Sequence, residues 1–342
     1  MLTIDGSIGE GGGQALRTSL SLSLISGTPF RIDNIRARRS RPGLMRQHLT
    51  AVQAAAAVGR ATLRGAEIGS TTLEFTPTAL VCGEHRFAIG SAGSATLVLQ
   101  TILPALLQGT TESTIVVEGG THNPLAPPFE FLERVYLPLL RRMGANVTCK
   151  LERHGFYPAG GGRVRLIVNP TEPLRRLELV ERGAAGEHRA TAIFASIPFE
   201  VARRELETVR TQLGWDDASC RPLMVNDSAG PGNVVEIELQ FAAVTELVAA
   251  FGERGLAAER VAQRAVDEAQ EYLASGAPVG RHLADQLLLP CALAGGGTFV
   301  SLAPTPHFET QCEILRRFAR ARVERTALSN GTWRFEVVPF SD

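Results

Sequence analysis

The sequence predicts an α/β (α+β) fold: three repeated βαβαβ-type units forming a large domain, with a small α/β domain inserted between units two and three. Two observations carry this. An apolar helix, a strand, a proline-containing loop, a second helix and a closing strand recur three times in that order, and such layers need a neighbour to bury their apolar faces. The proline loops are also unevenly spaced. Pro42 and Pro124 lie 82 residues apart, whereas Pro124 and Pro306 lie 182 apart, a surplus of 100 residues.

Unit one opens on a glycine-rich turn at 9–13, followed by a helix over 16–25 and a strand over 30–35. Pro42-Gly43 then leads to a helix over 48–58, and a strand ending Phe75-Thr76-Pro77 closes the unit. Unit two repeats the order with a glycine turn at 90–94, a helix over 96–107 and a strand over 114–118. The Asn123-Pro124 loop, a helix over 128–143 and a strand ending Val168-Asn169-Pro170 follow. Unit three has a helix over 282–293, a strand over 298–302, the Thr305-Pro306 loop, a helix over 309–320 and a strand ending Val337-Val338-Pro339. The surplus falls at 179–277, where strands at 189–197 and 233–241 alternate with helices at 201–213 and 257–273. The expected division is therefore a large catalytic domain of residues 1–178 and 278–342 and an inserted domain of 179–277.

Composition narrows the class. Charge is balanced, with 35 basic and 35 acidic residues, so this is not a protein that coats nucleic acid, and any such contact is local. Five scattered cysteines without a C-x-x-C pair argue against a zinc site or disulfide framework and suit a reducing compartment. Apolar runs such as 96–107 fall short of the roughly 20 residues of a spanning helix. The chain starts on a strand-like Leu-Thr-Ile without a signal-peptide pattern, so a cytoplasmic protein with no membrane association is expected.

Four stretches carry chemistry. Residues 153–164 read R-H-G-F-Y-P-A-G-G-G-R-V; the glycines suit a turn between strands and allow close backbone approach. His307 lies in a Pro-Thr-Pro-His loop that feeds a helix N-terminus, where free N–H groups favour phosphate oxygens and a neutral imidazole can attack phosphorus. Otherwise it is an ordinary loop histidine. Glu10, among the glycines of 9–13, is a carboxylate with little steric cover, either a solvated turn acid or a ligand for a divalent ion. Arg36, Arg38, Arg39, Arg41 and Arg46 cluster without an interleaved acid and repel one another unless an anion lies nearby. No G-x-x-x-x-G-K-[ST] or strand-following G-x-G-x-x-G is present.

The string at 153–164, with the three-unit plan and its insertion, strongly resembles the RNA 3'-terminal phosphate cyclase family over the full chain. The resemblance implies an ATP-dependent ligase-class enzyme in which His307 is the nucleophile that becomes AMP-bound. It implies an ATP site of His282, Leu283, Ala284, Asp285, Gln286 and Gln100, with Pro127 and Phe131 beside the adenine; a core phenylalanine is the competing reading of Phe131. It further implies Glu10 as ligand of a divalent metal, Mg or Mn, and Arg17, Arg36, Arg39, Gln47 and His48 as contacts of RNA phosphate. Arg38-Arg39-Ser40-Arg41 is more basic than the family's usual Gly- and Lys-containing version. The expected partner is RNA with a 3'-terminal phosphate, with no obligate protein partner. The expected reaction turns that phosphate into a 2',3'-cyclic phosphate. Two rivals are a non-catalytic cyclase-like ribosome-assembly factor, which the intact Pro-Thr-Pro-His loop opposes, and a carboxyvinyl transferase, which would not need the histidine.

Overall fold

Short apolar strands and helices with one small aliphatic face assemble the chain in four mixed sheets. The computed structural model describes residues 1–340. Unit one comprises β1 (Leu2–Asp5), α1 (Gln14–Ser26), β2 (Phe30–Asp33), α2 (Arg46–Gly59), β3 (Thr62–Arg64) and β4 (Leu73–Thr76). Unit two comprises β5 (Glu84–Ala88), α3 (Ala95–Leu106), β6 (Ser113–Gly119), α4 (Phe129–Phe131), α5 (Leu137–Arg142), β7 (Val147–Arg153) and β8 (Gly162–Val168). A π-turn over Leu132–Tyr136 joins α4 to α5. After β9 (Leu177–Leu179) come β10 (Ala185–Ala195), α6 (Phe199–Leu213), β11 (Cys220–Met224), β12 (Gly232–Phe241), β13 (Thr245–Phe251) and α7 (Ala258–Ser275). The chain finishes with α8 (Arg281–Leu293), β14 (Gly297–Ser301), α9 (Pro306–Arg317), β15 (Ala321–Ala327) and β16 (Trp333–Pro339).

Three sheets share one plan: β1-β2-β4-β3, β5-β6-β8-β7 and β9-β14-β16-β15. In each, the first pair is parallel and the other two are antiparallel. A parallel pair needs a crossover, supplied by α1, by α3 and, in the third sheet, by everything from β10 to α8. Two features differ from the sequence reading. Each unit has four strands rather than three, because the closing strand is half of a hairpin whose other arm (β3, β7 or β15) is polar and half-exposed. In addition, Leu179 belongs to the third sheet, pairing with Phe299, so the interruption falls after the third unit's first strand and not ahead of it.

One core runs beneath all three sheets, joining Phe30 and Phe75 of the first with Phe299 and Phe335 of the third, Phe308 of α9 and the aliphatic faces of α1, α3 and α8. The fourth sheet, β11-β10-β12-β13, has its own core. In α7, Val261, Ala262, Ala265, Val266 and Ala269 recur at helical spacing and are buried, leaving the opposite face to charge. Among the described residues, no helix is long and apolar enough to cross a membrane.

The 153–164 string is the β7–β8 connection and a joint. Phe156 is 1% exposed and packs on Ile193, Ala195, Val225 and Val234 of the fourth-sheet region. A side chain on Gly232 would overlap its ring.

Phe308 is fully buried, its ring centroid 4.5 Å from that of Phe335. Phe308→Ala is therefore expected to lower stability by about 3–5 kcal/mol, as truncation of core aromatics does. Exposed Phe340→Ala should change it by less than about 0.5 kcal/mol. Denaturant unfolding of both variants checks this.

Candidate active site

The loop after β1 is pressed onto the start of α9. Gly9 has φ +58°, and a side chain there would overlap Thr310; only glycine takes both that backbone conformation and that proximity without strain. The Glu10 N–H donates to Thr310 Oγ1 at 3.1 Å, which sets the Glu10 carboxylate over the first turn of α9. Gly12 leaves the room that this carboxylate occupies. Behind it, Gln14 of α1 bonds Gln311 of α9, and Arg17 Nη2 donates to Gln14 Oε1 at 2.7 Å. Thr310, Gln14 and Gln311 hold the site together, and sequence reasoning missed them because single polar residues inside helices carry no local signal.

His307 is the second residue of α9, not a loop residue ahead of it. Thr305 caps the helix, its hydroxyl accepting from the Phe308 N–H at 3.2 Å, and Pro306 takes the first position, where no N–H is required. With Phe308 anchored in the core, the next-door imidazole turns outward and stays about half-exposed. Its Nδ1 lies 3.8 Å from Glu10 Oε1. Burial, together with the charges of Arg17, Arg39 and His282, outweighs Glu10 and lowers the His307 pKa below its ordinary value. The ring is therefore neutral at pH 7, and the carboxylate beside Nδ1 favours the proton there, leaving the Nε2 lone pair free.

Cationic groups line the other side. Arg39 pairs with Glu10 Oε2. Arg17 is half-buried, with the charges of Glu10 and Asp285 close by; desolvation lowers its pKa, and Glu10 and Asp285 oppose that. Burial, then the charges of Arg17, Arg36 and Arg39, depress His48 to about 3. Its Nδ1 accepts from the Met45 N–H at 3.4 Å, so the neutral ring carries its proton on Nε2. That atom and Arg17 Nη1 each lie 2.7 Å from where a Gly13 side chain would begin. Two donors thus meet beside a glycine, an arrangement suited to anionic oxygen.

The remaining arginines are less free than their sequence suggests. Arg36 donates to the Arg41 and Gly43 carbonyls at 2.6 and 2.9 Å, Arg38 to the Gly9 carbonyl at 2.9 Å, and Arg46 to the Gly90 carbonyl at 3.0 Å. Backbone carbonyls take up part of the positive charge that the sequence reading assigned to an external anion. Gln47 likewise accepts from the Ser94 N–H at 2.7 Å and ties α2 to the start of α3.

On the α8 side, Gln286 Oε1 accepts from Gln100 Nε2 at 2.5 Å. Each is the sixth residue of its helix, counted from Ala95 in α3 and Arg281 in α8. Burial pushes Asp285 up to about 7, against the opposing charges of His282 and Arg17. Leu283 and Ala284 point into the core. Phe131 is only 2% exposed, so no ring face is open for stacking, and the Pro127 carbonyl accepts from Thr96 Oγ1 at 2.8 Å.

The fourth-sheet region reaches this site. Glu268 of α7 binds His282 Nε2 at 3.0 Å, and Glu246 of β13 accepts from the Gly280 N–H, ahead of α8, at 2.7 Å. Burial lowers the His282 pKa, but the hydrogen bond and charge of Glu268, with Glu246 and Asp285, raise it overall. Burial also pushes Glu246 itself to about 7.

Glu10 fits one kind of metal site only. Among the described residues it belongs to no cluster of three ligand side chains, so it suits a hard cation that brings phosphate oxygens and water as its other ligands, as Mg²⁺ does, and not an all-protein cage.

The sequence matches the family described as RNA 3'-terminal phosphate cyclase over residues 8–325. A protein of that name from Koribacter versatilis is 52% identical over 318 residues, 93% of this chain and 90% of the relative. Another from Ectopseudomonas mendocina is 50% identical over 336 residues, 98% of each. Among solved structures, the enolpyruvyl transferase NikO from Streptomyces tendae aligns over 98% of this chain and 48% of its own, at 13% identity and TM-score 0.37, a likeness too low to support a conclusion. The chain belongs to the RNA 3'-terminal phosphate cyclase family.

A pH signature follows from the His282–Glu268 pair. A histidine whose folded pKa is raised stabilises the fold below its unfolded pKa, and that contribution is lost as pH rises through the folded value. Glu268→Gln should therefore lower stability near pH 5.5 by up to about 1 kcal/mol, the upper range for exposed pairs, and by less near pH 8.5. Urea midpoints at the two pH values check this; equal losses would contradict it.

Proposed function

We propose that this enzyme converts the 3'-terminal phosphate of an RNA into a 2',3'-cyclic phosphate at the expense of ATP, through a covalent AMP on His307. The observation that carries the reading is the neutral imidazole of His307 held at a helix N-terminus, with Glu10 beside Nδ1 and Arg17 and Arg39 close by. Supporting it, the relatives at 50–52% identity bear the cyclase name.

In the first step, His307 Nε2 attacks the α-phosphorus of ATP. An N–P bond forms, the bond to the bridging oxygen breaks, and pyrophosphate leaves with its charge balanced by Arg17. The ring keeps its Nδ1 proton and becomes positively charged, and the neighbouring Glu10 carboxylate stabilises that charge. An oxygen of the RNA 3'-phosphate then attacks the same phosphorus, the N–P bond breaks, and an RNA-phosphate–AMP anhydride results. Finally the neighbouring 2'-OH attacks the 3'-phosphorus, gives up its proton and expels AMP. That closure is intramolecular, so orientation supplies much of the acceleration, with effective molarities of about 10⁵ M or more available. The 2'-OH requirement selects RNA over DNA. Arg17, Arg39 and the Nε2–H of His48 are assigned to the RNA phosphate. Gln100 and the helix start around His282, Asp285 and Gln286 are assigned to the nucleotide. A Mg or Mn ion held by Glu10 would polarise the phosphoryl oxygens.

His307→Ala should abolish retention of label from α-labelled ATP on the protein, and cyclization with it, while circular dichroism and the thermal midpoint remain near the parent values. Label held by that variant through an acid-labile, base-stable bond would refute the nucleophile.

Arg39→Ala should slow reaction with a 3'-phosphorylated oligoribonucleotide by about 10- to 100-fold, the size of one charged hydrogen bond. Self-adenylylation should fall much less. Equal losses in single-turnover assays of the two steps would assign Arg39 to ATP or to the Glu10 geometry instead.

A further inference from the structure

Away from His307, a second cluster of ligating side chains lies where the β7–β8 joint meets the fourth sheet. His122, Glu130 and His154 each offer one ligand atom, all within 4.8 Å of one another. His122 Nε2 is 2.6 Å from Glu130 Oε2, and both side chains are buried. The two imidazoles stack with centroids 5.3 Å apart. Each ring has its Nδ1 engaged by an outer partner, Thr121 Oγ1 at 2.8 Å for His122 and Asp227 Oδ1 at 3.1 Å for His154. That is the arrangement by which proteins orient metal-binding histidines; the second nitrogen of His122 faces Glu130.

An independent observation comes from the facing strand. Glu236 of β12 is 2% exposed, its carboxyl lies against that of Glu130, and its Oε1 has no hydrogen-bond partner. Nearby, Glu238 accepts from Arg134 at 3.0 Å. Three carboxyl groups thus share a mostly buried volume with one guanidinium. Buried charge left unmatched is costly.

We infer that His122, Glu130 and His154, with the carboxyl of Glu236 moving in from beside Glu130 to complete the set, form a zinc-class divalent metal site that clasps the fourth-sheet region to the second unit. Two imidazoles and two carboxylates suit tetrahedral Zn²⁺. Ligands at the usual bond lengths stand about 3.3 Å apart, so the His122–Glu130 pair, which shares a proton when no ion is bound, opens by less than about 1 Å to admit one. This site is separate from the proposed ion at Glu10, and nothing in the cyclization steps passes through it.

The test uses full-length Glu10→Ala protein, so that the other candidate ion is out of play, stripped with a chelator and titrated with Zn²⁺ alone. One equivalent should survive gel filtration, measured by atomic absorption, and Co²⁺ in its place should show the visible bands of a four-coordinate ion. His154→Asn should lose stoichiometric binding. Glu236→Gln, which preserves shape and guards against misfolding, should weaken binding at least about tenfold. Zn²⁺ should raise the thermal midpoint of the Glu10→Ala protein and not of the variants, since a ligand bound only to the folded state stabilises it. Absence of a retained equivalent, or binding unchanged in both variants, would overturn the site.

Discussion

Everything proposed for this active site depends on how the loop after β1 meets the first turn of α9. Gly9 lets the backbone lie against Thr310, the Thr310 hydroxyl fixes the Glu10 amide, and Gly12 leaves room for the carboxylate. Glu10 then does two things at once. It sits beside His307 Nδ1, and it holds Arg39 in the pocket. Without the contact, the acid would be a solvated turn residue and the histidine an unremarkable member of a helix N-terminus. The energy involved is small by the standards of a core, one or two hydrogen bonds of about 1 kcal/mol each, but it sets the geometry that the chemistry needs.

Much of the fold was legible because it rests on periodicity. The helices of all three units lie within a few residues of where apolar spacing puts them, since that spacing is what buries them. What escaped were the polar hairpin arms β3, β7 and β15, whose half-exposed faces carry no apolar signal. The first strand of unit three also escaped: β9 is only three residues long and is cut off from its own helix by the interruption. For the site, the residue types of His307, Glu10, Arg17 and Asp285 were readable, and their convergence was not. Which cations are free is a further matter that sequence cannot supply. Arg36, Arg38 and Arg46 are committed to carbonyls, whereas Arg39 is paired with the Glu10 carboxylate.

The fourth-sheet region is more than an appendage. It holds His282 through Glu268 and the start of α8 through Glu246, and it receives Phe156 of the glycine-rich joint into its own small core. The sequence reading, which found every candidate residue outside 179–277, placed no function there. The structure gives it an architectural one at the nucleotide side: two carboxylates, both buried or half-buried, brace the helix end that the resemblance assigns to ATP.

The Glu10–Thr310 hydrogen bond spans 300 residues of chain. Contacts this distant in sequence form late, after the intervening loop entropy has been overcome. During synthesis, Glu10 and Arg17 leave the ribosome long before His307, Thr310 and Gln311 exist. A nascent or truncated chain therefore carries Glu10 and Arg17 without His307 or the Thr310 hydroxyl that positions Glu10. Assembly of the pocket is a report that translation has reached the C-terminal helix, so the convergence of Glu10, Arg17 and His307 is confined to chains made that far.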